Sequence, residues 1–302
     1  MEVRVPASTS NLGPGFDCFG LALKLYLTVR ADAKPDACDP CNVTTTGARE
    51  NEALPRNSAN LIYRAMTFAA RREGVSLPPV ELNVHNEIPL ASGLGSSAAA
   101  IVAGIKLCSL LTDHAISDQT IQNYATEFEG HPDNVTASLY GGFTISCVTH
   151  DRTAVSAKFD WPSHIRAVVV SPHSQIPTHV ARAALARTIG RGCAVHNLQR
   201  TALFTAAIAQ QRYDLLWDAM KDELHQPQRQ SLVPGLAEAL TLPRMEGLLG
   251  VALSGAGPSI FALATDRTDE IGARIASCFS AHKIESTLRT LEVDNEGCRA
   301  LQ

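Results

Sequence analysis

The segment PLASGLGSSAAAIVAG, residues 89–104, places two glycines and two serines directly before a run of alanines and aliphatic residues. Gly93 and Gly95 let the backbone approach a ligand closely, and Ser96 and Ser97 supply hydroxyls where a helix would begin. The first turn of a helix has unpaired N–H groups and a partial positive charge, so it binds anions. The segment therefore predicts a phosphate-binding loop, and the alternative is an ordinary helix capped by serine.

Three known phosphate-binding motifs do not account for this loop. A Walker loop requires a Gly-Lys pair, which the sequence lacks. A dinucleotide-binding GxGxxA string is matched by Gly93, Gly95 and Ala98, but that loop should follow a strand directly, and the polar stretch HNEIPLAS intervenes. The HRD and DFG strings of protein kinases are absent. The loop therefore needs a different scaffold.

The elements that would position this loop follow from hydrophobic periodicity and turn residues. The patterns predict strands at residues 1–5, 19–30, 80–85, 165–172, 248–255, 260–265 and 286–293. They predict helices at about 59–74, 97–111, 117–128, 178–189, 195–211, 213–224, 235–243 and 268–281, and one more before Gly141. Loops are expected at STSNLGPGFDCFG, at residues 33–58 and at HQPQRQSLVPG. This order is typical of an α+β or α/β protein.

Composition limits the classes of function. A chain of 302 residues is long enough for two domains, and its net charge of −4 offers no basic surface for nucleic acid. The first residues lack the features of a signal peptide, and no apolar run approaches a membrane span, so a cytoplasmic protein without membrane contact is expected. Cys38 and Cys41 are the only close cysteine pair; structural zinc needs four ligands, so free thiols are the better interpretation.

Three strings in order resemble the motifs of the GHMP kinase superfamily: PASTSNLGPGFDCFGLAL at 6–23, PLASGLGSSAAA at 89–100 and LSGAGPSIFAL at 253–263. The strings EGHPDNVTASLYGGF, IPTHVAR, VHNLQRTAL, HQPQR and DNEGCRA resemble its homoserine kinase branch. The sequence departs from that branch at Gln228, where an aromatic residue is usual, and at Thr136 and Ser138, where Ala and Pro are common. These departures affect packing more than charge.

The resemblance implies a two-domain α+β GHMP kinase fold. Residues 1–160 would form an N-terminal ATP-binding domain of the ribosomal protein S5 domain 2-like type, and residues 161–302 a ferredoxin-like C-terminal domain. The implied reaction is ATP-dependent phosphorylation of the hydroxyl of L-homoserine to O-phospho-L-homoserine in threonine biosynthesis, with ATP and Mg²⁺ as cofactors and a homodimer as the assembly. The alternatives are a GHMP kinase with a mevalonate-like or sugar alcohol acceptor, or a non-catalytic ligand-binding homologue.

The same resemblance implies which residues hold the nucleotide and the metal. Ser97 and Glu129 are expected to ligate Mg²⁺, with Glu127 as the alternative acid, because a hydroxyl and one carboxylate suit this ion. The expected ATP-binding residues are Pro89, Leu90, Ala91, Ser92, Gly93, Leu94, Gly95, Ser96, Ser97, Ala98, Ala99, Asn60, Gly255, Ala256 and Gly257.

For the acceptor, Arg182 and Arg229 match the family's carboxylate-binding arginines, and the positions around the rest of homoserine are Asn11, Asp17, His131 and Asn134. Mevalonate-type members carry a catalytic Asp where this sequence has Asn134. An amide cannot take a proton, so the hydroxyl would be polarised by Asp17 or Asn134 and lose its proton late, which a loose transition state permits. The expected catalytic residues are therefore Asp17, Asn134 and Glu129, and Asp133 is the alternative base.

Overall fold

The computed structural model describes residues 1–48 and 54–301, which form two β-sheets with helices packed on them. The first sheet has the strand order β11-β1-β2-β4-β3, and β5 pairs with both β2 and β6. Its strands are β1 (Glu2–Asn11), β2 (Gly15–Ala33), β3 (Cys41–Gly47), β4 (Val80–Asn86), β5 (Phe143–Val148), β6 (Ala154–Phe159) and β11 (Arg299–Leu301). All pairs in this sheet are antiparallel except β3 with β4.

Several predictions for this sheet were wrong in extent. The loop expected at STSNLGPGFDCFG is a short turn, because β1 and β2 continue their pairing to Asn11 and Gly15. Asn11 and Leu12 both have positive φ, 69° and 45°, which closes the turn. The predicted loop at 33–58 contains β3, and part of it lies outside the described residues. Strands β5, β6 and β11 were not predicted.

Four helices cover the first sheet and confirm the predicted ones: α1 (Leu61–Glu73), α2 (Ser96–Leu111), α3 (Asp118–Glu129) and α4 (Asp133–Tyr140). The side chain of Asn60 caps α1 by accepting from the N–H of Ile62, and Gly74 ends it with φ 69°. Helix α2 is apolar around most of its circumference because it is covered by α1, α3 and α4 as well as by β1. Its buried position fixes the loop that precedes it.

The second sheet is antiparallel and has the order β10-β7-β9-β8. Its strands are β7 (Arg166–Pro172), β8 (Leu248–Leu253), β9 (Ile260–Ala264) and β10 (Ser286–Leu291). Five helices join β7 to β8, namely α5 (Thr178–Ala183), α6 (Arg191–Ala209), α7 (Leu216–Ala219), α8 (Gln226–Arg229) and α9 (Leu236–Leu240), and α10 (Thr268–Ala281) joins β9 to β10. This β-α-β-β-α-β connection is ferredoxin-like, so the α+β expectation is confirmed.

The helix predicted at 213–224 is mostly absent for a tertiary reason. Only a short 3₁₀ turn at Tyr213–Leu215 and the single turn of α7 form. The carboxylate of Asp222 accepts the N–H groups of Leu224, His225 and Gln226, which starts α8 inside a segment predicted as loop. The helix predicted at 178–189 is also shorter, ending at Ala183.

One hydrophobic core spans both sheets, and a second core lies between the second sheet and helices α9 and α10. Phe204 of α6 packs on Phe19 and Phe143 of the first sheet, with ring centroids 5.1 and 5.3 Å apart. The final strand returns to the first sheet, where Leu301 pairs with Glu2. The boundary near residue 160 stays a prediction, and residues 299–301 pair within the N-terminal sheet. In the described part of the chain, no helix is long and apolar enough to cross a membrane.

Candidate active site

A cavity of about 430 Å³ lies where the start of α2 meets the β1–β2 turn and the loop after β8. One end is lined mainly by apolar side chains, including Leu27, Leu54, Pro55, Ile62 and Val84. The other end is polar and charged, with Asp17, Glu129, His131, Asp133, Arg182 and Arg229. The cavity can therefore accept a molecule with an apolar ring at one end and ionic groups at the other.

The N-terminus of α2 opens into this cavity without a side-chain cap. The N-cap residue is Gly95, with φ 68° and no side chain that could accept an N–H, so the serine-capped alternative was wrong. Gly93 also has positive φ, and a Cβ there would lie 2.2 Å from the carbonyl oxygen of Ser254. A Cβ at Gly95 would lie 2.1 Å from the Oγ of Ser8. Glycine is thus required at both positions, and the first N–H groups of α2 remain available to an anion.

The loop after β8 is hydrogen-bonded to β1 and to residues 93–97, which we call the glycine loop. The hydroxyl of Ser254 donates to the carbonyl of Gly93 at 2.7 Å, and the N–H of Gly255 donates to the carbonyl of Ser10 at 3.2 Å. The N–H of Ser8 in turn donates to the carbonyl of Leu94 at 3.1 Å. These bonds bring three segments that are distant in sequence to one site.

Ser97 and Glu129 form the pair that a divalent cation would need. The Ser97 hydroxyl donates to Oε1 of Glu129 at 2.6 Å, joining the start of α2 to the end of α3. Within residues 1–48 and 54–301, no Lys, Arg or His side chain forms an ion pair with Glu129. Glu127 instead contacts Arg72 of α1 at 2.5 Å, so its carboxylate is already paired. The geometry favours Glu129 over Glu127.

At the polar end of the cavity, Arg182 of α5 and Asp17 of β2 form a two-pronged ion pair. The two guanidinium nitrogens lie 2.6 and 3.0 Å from the two oxygens of Asp17. Asp17 has φ 55°, and its N–H donates to Oδ1 of Asn11 at 3.0 Å, which holds the carboxylate in place. The Nδ2 of Asn11 donates to the carbonyl of Gly255 at 2.9 Å. Asn11 therefore connects the ion pair to the loop after β8.

Arg229 of α8 is a buried cation beside this pair. It is 2% exposed, and its Nη1 donates to the carbonyl of Gly255 at 3.0 Å while its Nε donates to the carbonyl of Ala181 at 3.3 Å. Burial and the neighbouring charge of Arg182 lower the pKa of Arg229 to about 10, so it stays protonated at neutral pH. The Phe16 ring lies 5.6 Å from each guanidinium.

His131, Asp133 and Asn134 surround the remaining side of the polar end. Nδ1 of His131 lies 2.7 Å from Oδ1 of buried Asp133, which also accepts the N–H of Asn134 at 2.7 Å. Burial works against charge on both partners, yet their mutual contact raises the pKa of His131 and lowers that of Asp133. Asp133 is therefore a weak base, which disfavours the alternative that it takes a proton.

The amide of Asn134 is fixed next to the glycine loop. Its Nδ2 donates to the Oγ of Ser10 at 2.9 Å, and its Oδ1 accepts from the hydroxyl of Ser8 at 3.0 Å. The same Oδ1 is 3.1 Å from the position that a Cβ on Gly95 would occupy. Asn134 is thus the residue of the polar end that adjoins the uncapped start of α2.

Comparisons with known proteins agree with this site. The GHMP kinases N terminal domain matches residues 60–142, and the GHMP kinases C terminal domain matches residues 204–281. The homoserine kinase of Deinococcus radiodurans is 43% identical over 259 residues, covering 85% of this chain and 82% of that protein. The homoserine kinase of Desulfitobacterium hafniense is 37% identical over 302 residues and all of both chains. The chain belongs to the homoserine kinase family of the GHMP kinases.

A solved structure supports the same placement. The crystal structure of homoserine kinase from Cytophaga hutchinsonii superposes with a TM-score of 0.85 at 27% identity, covering 100% of this chain and 97% of that one. The two-domain GHMP kinase fold implied by the resemblance is therefore confirmed.

Most residues expected from the homoserine kinase resemblance line the cavity. Ala98 and Ala99 do not, because their side chains are buried inside the protein, and Gly257 is also outside the lining. Asn60 lines it, but its amide caps α1 and donates to the carbonyl of Pro55 at 2.8 Å. The other expected residues all line the cavity, namely Asn11, Asp17, Pro89 to Ser97, Glu129, His131, Asn134, Arg182, Arg229, Gly255 and Ala256.

Sequence reasoning missed other residues of this family site. Phe16 and His225 contact Arg229, and both lie within motifs that were quoted for other residues, so motif membership was a usable signal. Ser8 and Ser10, which hold Asn134, also lie in the first motif. The apolar end of the cavity had no signal, because its side chains are like those of any core.

Proposed function

We propose that this protein transfers the γ-phosphoryl group of ATP to the side-chain hydroxyl of L-homoserine, giving O-phospho-L-homoserine and ADP. The observation that carries the proposal is the presence of the Asp17–Arg182 pair and Arg229 in one cavity with the uncapped start of α2. The pair and Arg229 suit an amino acid, and the uncapped turn suits a phosphate.

The charges at the acceptor end match a zwitterion. Arg182 and Arg229 can bind the carboxylate of homoserine, and Asp17 can accept from its ammonium group. Mevalonate offers no ammonium to Asp17, and galactose offers neither an ammonium nor a carboxylate, so each would form fewer charge-assisted bonds with the site than homoserine. A site built for ionic groups discriminates strongly against analogues that lack them.

The ATP phosphates would be bound by backbone N–H groups of α2 and by the expected Mg²⁺. The first N–H groups of α2 would hold the ATP phosphates, and Ser97 with Glu129 would hold Mg²⁺. A hydroxyl and a carboxylate without a competing cation fit this ion's preference for oxygen ligands. Bound Mg²⁺ would neutralise charge that develops on the transferred group.

Asn134 orients the hydroxyl that attacks. Its amide is held by Ser8 and Ser10 beside Gly95, where the γ-phosphate would lie, and its Oδ1 can accept one further hydrogen bond. The carboxylate of Asp133 has a lowered pKa and is already hydrogen-bonded, so it is a poor base, and we assign no side chain to remove the proton before transfer. The proton leaves late, to an oxygen of the transferred phosphoryl group, as a loose transition state allows.

The test is direct. The purified protein is given ATP and Mg²⁺ with homoserine, mevalonate, galactose or threonine in turn, and ADP release is followed. We expect turnover with homoserine that exceeds turnover with the others. No activity above background with homoserine would overturn the proposal, and ATP binding without ADP formation on any acceptor would identify a non-catalytic homologue. The homodimer and the cytoplasmic location stay predictions, and light scattering tests the first.

A further inference from the structure

The buried imidazole of His225 contacts the cation that faces the acceptor. We propose that His225 is a positioning residue, which holds Arg229 in the orientation that binds the acceptor carboxylate by presenting an unprotonated Nδ1 to it. This inference rests on the proposed function. It concerns a residue outside the cavity lining, which reaches the acceptor only through Arg229; its other ring nitrogen bonds to the carbonyl of Gly13.

The hydrogen bonds of His225 fix which ring nitrogen carries the proton. Its side chain is fully buried, with Nε2 at 2.8 Å from the carbonyl oxygen of Gly13 and Nδ1 at 3.2 Å from Nη1 of Arg229. A carbonyl can only accept and a guanidinium can only donate. The ring must therefore donate through Nε2–H and accept at Nδ1, which is the neutral Nε2 tautomer.

The charges around the ring keep this tautomer neutral. Burial lowers the pKa of His225; the carboxylate of Asp222, 3.7 Å from Nε2, opposes this shift, and Arg229 adds to it. The Asp222 carboxylate is shared among backbone N–H groups and the amide of Asn197. A second proton on the ring would place Nδ1–H against the Arg229 guanidinium and break their bond.

Arg229 is held in the structure through its Nη1 and Nε atoms. Its Nη1 has two acceptors, the Gly255 carbonyl and His225, and its Nε has the Ala181 carbonyl. Among residues 1–48 and 54–301, no acceptor bonds to its Nη2, and the residue lines the cavity. Because a guanidinium is planar, fixing Nη1 and Nε also fixes the direction of Nη2. The contact with His225 therefore helps to set the direction in which the N–H groups of Nη2 point.

Two variants separate the two hydrogen bonds of the ring. In His225→Asn, the amide oxygen takes the place of Nδ1 and can still accept from Arg229, but the donor to Gly13 is lost. In His225→Gln, the amide nitrogen takes the place of Nε2 and can still donate to Gly13, but the acceptor for Arg229 is lost. The pair is matched because each variant is uncharged and keeps one of the two bonds.

If His225 acts through Arg229, His225→Gln raises the KM for homoserine about tenfold or more, the cost of misplacing one charge-assisted bond. Its kcat at saturating homoserine and its KM for ATP stay within about threefold of the wild type, because only ground-state binding of the carboxylate has changed. His225→Asn keeps a KM for homoserine near that of the wild type.

Three outcomes would overturn this inference: an unchanged KM in His225→Gln, an equal rise in both variants, or a rise in His225→Asn alone, which would assign the role to Gly13. Failure of the proposed function is distinct, because it appears as inactivity of the wild-type protein. If neither variant folds, histidine labelled with nitrogen-15 in the wild-type protein decides. We expect the Nε2 tautomer at His225, with its Nδ1 signal moving when homoserine is added; the opposite tautomer, or a signal that homoserine does not move, contradicts the inference.

Discussion

Replacing Asp17 by asparagine separates the two roles that a carboxylate at this place could have. The substitution keeps the size of the side chain and removes its charge. Asp17 and Arg182 are each about one-third exposed, with 33% and 36% of their side chains accessible, so solvent weakens their mutual attraction. The free energy of unfolding should therefore fall by less than about 1 kcal/mol, which shifts Tm by no more than about 4 °C.

The effect on the acceptor should be much larger. If Asp17 binds the ammonium of homoserine, Asp17→Asn removes a charge-assisted hydrogen bond of about 1.5 to 3 kcal/mol inside the cavity. At about 1.4 kcal/mol for each tenfold change, the KM for homoserine rises roughly 10-fold to 150-fold. The kcat at saturating homoserine stays within a few fold, because in the proposed function Asn134, which adjoins Gly95, orients the hydroxyl.

The assay is a titration of homoserine with ADP release as the readout, together with a thermal melt. Asp214→Asn is the matched control, since Asp214 forms a similar two-pronged pair with Arg212 on the surface, at 2.8 and 2.9 Å. The control should leave both KM and kcat unchanged. A kcat that falls about a hundredfold in Asp17→Asn with an unchanged KM would refute this reasoning and place Asp17 at the reacting hydroxyl.

Three further predictions test the phosphate loop and a buried pair. Ser97→Ala should lower kcat about a hundredfold and raise the Mg²⁺ needed for half-maximal activity, whereas Glu127→Gln should change neither; equal effects of the two contradict the metal assignment. Gly95→Ala should raise the KM for ATP at least tenfold, because its Cβ would meet an oxygen at 2.1 Å; Gly74→Ala, at a similar φ in open space, should cost only stability. His131→Gln should lower Tm more at about pH 6 than at about pH 9. The contact with Asp133 raises the pKa of His131, so it stabilises the fold below that pKa and the stabilisation is lost above it. An equal loss of Tm at both pH values argues against the ion pair.

Much of the fold was predictable where local patterns and tertiary packing agree. Helix α2 was predicted to within one residue, because an alanine-rich run after Gly95 needs no distant partner to be helical. Strands β3, β6 and β11 were missed because they are short or partly polar and are defined by the neighbours with which they pair. The segment after α7 could not be predicted, since it depends on the contacts of Asp222.

In the candidate active site, the residue types predicted anion binding and the motifs predicted which residues line the cavity. The contacts in the structure were needed to choose between neighbouring candidates for one role. Glu127 and Glu129 are two residues apart and equally acidic, and only the position of Arg72 shows which of them is already paired. The apolar end of the cavity was not predictable, because no residue type distinguishes a lining leucine from a core leucine.

The carbonyl of Gly255 has a thermodynamic consequence. That single oxygen accepts from Asn11, which holds Asp17, and from Arg229, while the loop that carries it is bonded to the glycine loop at Gly93. If bound nucleotide displaced this loop, Asn11 and Arg229 would be displaced with it. Because binding free energies depend only on the states joined, whatever factor ATP applies to the affinity for homoserine, homoserine applies to the affinity for ATP. Any linkage of the two substrates through this oxygen atom would have the same size whichever of them is added first.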